Sequence, residues 1–216
     1  MRHPGPMALL HAATITPTKQ EAIVAWLPSQ PWAVGVDAGT VTLVGAYRFN
    51  DPAGEVGLET HLVDCGDVVL QVPLTYRAAS LDGADPALVC TMEHSALGTR
   101  WVYDGCADPA YTTMLAAATL TGVGQSAQVV EVDGRVLTWS PTVRLGGGGW
   151  TTGRFPISGL GAAEDDGDQT VLRGPDLELR LVRRLGTHQP PDGADHLTGT
   201  WPGQAEPVLL ATATPV

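Results

Sequence analysis

The chain has 216 residues, a formal net charge of −11, an apolar fraction of 44% and a mean hydropathy of +0.05. That length and apolar content suit one folded domain, or one domain with a small appendage, and exclude whole-chain disorder. The charge would repel phosphate backbones and anionic lipid, which argues against nucleic acid and membrane surfaces as partners.

Lys19 is the only lysine, and we read the scarcity of bases as compositional bias. Cys65, Cys90 and Cys106 are odd in number and far apart, so no disulfide framework is expected and the compartment should be reducing. The run Met7–Ala13 is short and interrupted by His11, and no stretch approaches ~18 apolar residues. A cytoplasmic location is expected.

Met1 to Pro6 has the composition of a disordered end. A helix follows over 17–27, with Thr16 as its expected N-cap, Pro17 at the first helical position and Ala22, Ile23, Trp26 and Leu27 on one face. From 39 to 79 the sequence alternates apolar and polar residues in three runs. Turn chemistry at Asn50–Gly54 and Asp64–Asp67 separates them, so a meander of three strands is expected. Pro73, inside the third run, is expected at an edge or bulge.

Strands are expected at 87–96 and 99–103. A helix should open at Asp108-Pro109 and end at Gly122, and a hairpin over 128–139 should turn at Asp133-Gly134. Beyond Ser140 the composition shifts to glycine-rich connectors at 146–149 and 159–167, with strands expected at 169–172, 177–185 and 207–213. The expected class is α+β: a curved antiparallel sheet over residues 1–140 packed on one or two helices, and a small β-hairpin region over 141–216.

The runs GAYRFNDPAGEVGLETHLVD and VLQVPLTYR, then Thr91–Ser95, Leu97-Gly98 and Arg100–Asp104, resemble the maltokinase N-terminal cap domain and its free-standing relatives. The resemblance begins near His11 with the Thr14–Lys19 entry and covers most of residues 8 to 135. It implies a cap lying beside a nucleotide lobe in enzymes of trehalose and glycogen metabolism. Leu177–Leu185, with Gly186 and Pro190-Pro191-Asp192, resembles the kinase-lobe strand of the maltokinases, in which a phosphate-holding lysine would stand at Arg180. Here that lysine is an arginine, and an acidic segment over 159–168 stands where a phosphate-cradling loop is expected. Asn50, the only asparagine, lies in a hairpin turn, whereas phosphoryl transfer needs a catalytic-loop Asp–Asn pair and a second metal-binding Asp. The chain also ends where the large catalytic lobe would begin. The expectation is a vestigial nucleotide lobe at Arg180, no kinase activity of this chain alone, no catalytic residue, no metal and no cofactor.

Cys90 and His94, with Cys65, Cys106 and His61, form a weak zinc pattern because no close cysteine pair occurs. Glu93-His94-Ser95 cannot form a triad, since consecutive strand residues point to opposite faces; His94 and Glu93 are expected to bond a neighbouring turn. The stronger candidate surface is polar. Arg48, Glu59, His61, Gln71, Thr75 and Arg77 alternate with apolar residues and are expected on one face of the meander, near Trp26, Trp32 or Trp101. A ligand set of Arg48, Glu59, His61, Gln71, Arg77 and Trp101 would suit a sugar or phosphosugar. The plainer alternative for that face is solvent. Three readings stand: a non-catalytic cap module that binds a protein partner or itself, a sugar or glucan binder, and a kinase relative with residual nucleotide binding.

Overall fold

The computed structural model describes residues 8–10, 14–122, 125–126, 128–132, 135–139, 141–147, 159–186 and 188–216. The expectations for Met1–Pro6, for the Asp133-Gly134 turn and for Gly148-Gly149 fall outside them.

The N-terminal sheet is antiparallel and curled. Its strands are β2 (Ile15–Thr16), β3 (Thr42–Phe49), β4 (Gly57–Asp64), β5 (Val69–Arg77), β6 (Leu88–His94) and β7 (Gly98–Asp104), in the order β2-β6-β7-β5-β4-β3. The three-strand meander expected over 39–79 is therefore present as β3–β4–β5. The Asn50–Gly54 turn is closed by the Asp51 carboxylate, which accepts from the amides of Ala53, Glu55 and Val56.

Helix α1 (Lys19–Trp26) is shorter at its start than expected. Its N-cap is Thr18, which accepts from the Glu21 amide while the Glu21 carboxylate accepts from the Thr18 amide. This reciprocal capping box fixes the start two residues later than Thr16, whose backbone instead pairs with Glu93 in the sheet. Helix α2 (Pro109–Thr121) is bounded as expected, by Asp108 at the N-cap and by Gly122 at φ 66, a left-handed conformation that glycine adopts without strain.

A second antiparallel sheet has the order β10-β15-β16-β13-β12-β11. Its strands are β10 (Arg144–Gly147), β11 (Glu164–Asp166), β12 (Gln169–Arg173), β13 (Leu177–Val182), β15 (Asp195–Trp201) and β16 (Gln204–Pro215). The single strand expected over 177–185 breaks at Arg183. Its remainder, β14 (Arg184–Leu185), leaves this sheet and pairs with β5 of the first. A third, three-stranded sheet joins β1 (Ala8–Leu10) in parallel to β8 (Gln128–Val132), which pairs with β9 (Arg135–Trp139).

Both faces of the N-terminal sheet are covered. On one, Val63, Leu70, Val72, Leu74, Met92 and Val102 pack against Ala22, Ile23, Trp26 and Leu27 of the α1 region and against Trp32. On the other, Tyr47, Phe49, Leu58 and Leu62 share a core with Tyr111 and Leu115 of α2 and with Leu179, Leu181, Leu197 and Leu210 of the second sheet. Residues on both sides of Ser140 thus contribute to one core. Each fully buried leucine contributes about 1.5–3 kcal/mol. Gly45 permits the close approach at the sheet margin, because a Cβ there would lie 2.8 Å from a Val143 methyl.

Pro73 is not at an edge. β5 is paired along its length by β4 on one side, and on the other by β14 at Val69–Leu70 and by β7 from Leu74 onward. The Gln71 amide donates to the Arg183 carbonyl on that second side, so the nitrogen of Pro73, two residues on, faces the gap between the two partners. Its missing N–H deprives no ladder bond, which is why proline is tolerated in mid-strand here.

Candidate functional site

The polar residues of the meander fall on two faces. Register places Glu59 opposite Leu74, His61 opposite Val72 and Arg48 opposite Glu59, so Arg48, Glu59 and His61 share the α1 face. Leu58 stands opposite Thr75 and Leu62 opposite Gln71, which puts Gln71, Thr75 and Arg77 on the α2 face. The expectation of one shared face is corrected: polar positions have odd numbers on both β4 and β5, but antiparallel pairing matches odd with even across this hairpin. Nor is either set solvated, since Glu59 is 5% exposed, His61 2%, and Gln71 and Thr75 0%.

On the α1 face the buried carboxylate of Glu59 gathers three basic groups. Lys19 Nζ donates to Oε2 at 2.5 Å, Arg48 Nη2 at 3.3 Å, and His61 Nε2 stands 3.5 Å away. His61 Nε2 also meets the Tyr76 hydroxyl at 3.2 Å, and Lys19 Nζ lies 5.7 Å from the Tyr76 ring centroid. Burial alone would raise the Glu59 pKa; the contact with His61 and the charges of Arg48 and Lys19 overcome it and hold the carboxylate well below its usual range. Burial, with the nearby Glu59 charge, pushes the Tyr76 phenol well up. The group is a buried ion network that ties the first residue of α1 to the sheet.

On the α2 face the polar groups reach the rest of the chain. Gln71 donates through Nε2 to the carbonyls of Val182 at 2.8 Å and Leu210 at 2.9 Å, and its Oε1 accepts from the Tyr47 hydroxyl at 3.0 Å. Burial pushes the Tyr47 phenol up to about 12. Thr60 and Tyr111 hydroxyls pair at 2.6 Å beside it. Arg77 grips Asp108 with two bonds, Nε to Oδ2 at 2.6 Å and Nη2 to Oδ1 at 2.7 Å, while Asp108 caps α2 through the Ala110 amide. Burial opposes ionisation of Asp108, but the Arg77 guanidinium and the Ala110 amide keep its pKa low. Trp101 is half-buried on β7 opposite Arg77 in the strand pairing.

The tryptophans expected to floor a binding surface are mostly inside. Trp26 and Trp32 are buried edge to face, 5.7 Å between centroids. Over Trp32 lies the guanidinium of Arg183, 4.6 Å from the ring centroid and 1% exposed by side chain. Arg183 donates to Asp104 Oδ2 at 2.6 Å and to the Thr170 hydroxyl at 2.7 Å, so one side chain joins β7, the segment after α1 and the second sheet. Burial disfavours its charge, but Asp104 more than restores it and raises the pKa.

Arg180, the remnant position, lies on the outer side of the second sheet. Its Nε donates to Glu178 Oε1 at 2.7 Å, and its Nη1 to Asp166 Oδ2 at 3.1 Å and Gln169 Oε1 at 3.3 Å. The acidic segment over 159–168 therefore supplies anions in cis to the guanidinium. Arg173 extends the ladder to Glu164 at 2.6 Å and Glu178 at 3.1 Å.

The remaining sequence motifs resolve into local structure. His94 Nδ1 accepts from the amides of Ala96 and Leu97, as expected of a strand end bonding its turn, whereas Glu93 accepts from the hydroxyl of Thr99, its cross-strand partner on β7. Cys65 and Cys106 belong to different cores, and no group of three or more metal-ligating side chains is present among the described residues. No helix there is long and apolar enough to cross a membrane.

Lys19, Tyr76, Asp104 and Arg183 are absent from the site expected from sequence, and Asp108 is expected there only as a helix opener and not as the partner of Arg77. Lys19 carries a signal, as the one lysine of the sequence, but scarcity of bases reads equally as compositional bias. The contacts of Arg183 span 13 and 79 residues and leave no local pattern. In the comparison with known families, residues 26–108 match the model of the maltokinase N-terminal cap domain. No curated protein matches the chain.

Proposed function

We propose, from the match of residues 26–108 to the maltokinase N-terminal cap domain model, that the chain is a non-catalytic cap module, an accessory protein that binds a partner in α-glucan metabolism. Residues 1–140 form the cap unit of this proposal, and 141–216 a reduced nucleotide lobe that has become its permanent packing partner.

The observation that carries the reading is the internal use of the charged groups a ligand would need. Arg180, where the family resemblance expects a phosphate-holding lysine, is held by Glu178, Asp166 and Gln169. A phosphate arriving there would meet two carboxylates and would have to displace them. Arg48 and His61 likewise both meet the Glu59 carboxylate, and Gln71 and Arg77 bond the chain itself. A sugar site needs convergent polar groups left unspent, which makes the sugar or phosphosugar binder the weaker reading.

Two measurements test the proposal. In a thermal-shift screen, Mg·ATP, maltose, trehalose and maltose 1-phosphate should leave the melting temperature unchanged. A ligand at ~100 times its dissociation constant stabilises by about 2.7 kcal/mol, so binding would be visible. Stabilisation by Mg·ATP would restore the nucleotide lobe, and by sugar alone the binder. In size exclusion, the chain should co-elute with a kinase or α-glucan enzyme that has no cap domain of its own; separate elution from every such enzyme tried would count against an accessory role.

A further inference from the structure

We draw no further inference here: the strongest candidate, the exposed apolar pair Val34 and Leu43 on the loop and strand that follow α1, is an unpartnered surface patch, and nothing in the structure shows what covers it.

Discussion

Two charged clusters of similar size sit on the two large sheets, and their surroundings give them opposite weight. Around Glu59 on the N-terminal sheet, the central carboxylate is 6% exposed by side chain and its partners 3–27%. Around Arg180 on the second sheet, Arg173 is 52% exposed, Asp166 65% and Glu164 70%. Water screens the second ladder, so each of its pairs is worth about 0–1 kcal/mol. The first is screened far less, and removing its carboxylate leaves basic groups without their counter-ion in a low dielectric. The comparison teaches that counting ion pairs says little here; burial decides which ones hold the fold.

The contrast can be sharpened by mutation. The largest effect is expected at Arg183, which is as buried as Glu59 and links the sheets. Arg183→Ala should destabilise by about 3–5 kcal/mol in urea unfolding, because Asp104 keeps its charge and loses its partner. Next is Gln71→Leu, expected to cost about 2–3 kcal/mol by leaving the carbonyls of Val182 and Leu210 and the Tyr47 hydroxyl without their bonds.

Glu59→Gln should cost about 2 kcal/mol, since Lys19 and Arg48 retain some access to water. It should also change the acid profile. Glu59 and Asp108 have folded pKa values below their ordinary values of 4.5 and 3.8. Their contribution is therefore complete above about pH 5 and is lost as pH falls through those ordinary values toward the folded ones. Urea titrations between pH 6 and 3 should show a shallower loss in Glu59→Gln than in the parent; an unchanged slope would remove Glu59 from the acid response. The smallest effect belongs to the exposed ladder: Arg180→Ala should change stability by less than about 1 kcal/mol. A loss comparable to that of Glu59→Gln would erase the distinction between the clusters.

Local chemistry made much of the fold legible. Alternation gave β3–β7, and Asp108-Pro109 with Gly122 bounded α2 at the expected residues. The start of α1 was misplaced because Thr16-Pro17 and Thr18 both offer cap signals, and Glu21 three residues after Thr18 decides between them. No strand is expected at β15, although Leu197, Gly199 and Trp201 alternate, because Gly199 interrupts the apolar positions and Gly193 and Gly203 flank the run. The candidate site was legible in its residue types but not in its geometry. Period two says that Glu59 and His61 share a face; only the pairing register says that Gln71 and Arg77 do not share it with them. Burial of the α2 face depends on a second sheet more than 100 residues away, and no window of sequence reports that.

The central claim is that these polar groups are spent joining the chain to itself, and the Arg183–Asp104 pair tests it most directly. A double-mutant cycle with Arg183→Met and Asp104→Asn, read by urea unfolding, should give a coupling energy above about 1.5 kcal/mol with a single transition for both sheets. A coupling near zero, or separate transitions for the two sheets, would contradict the account.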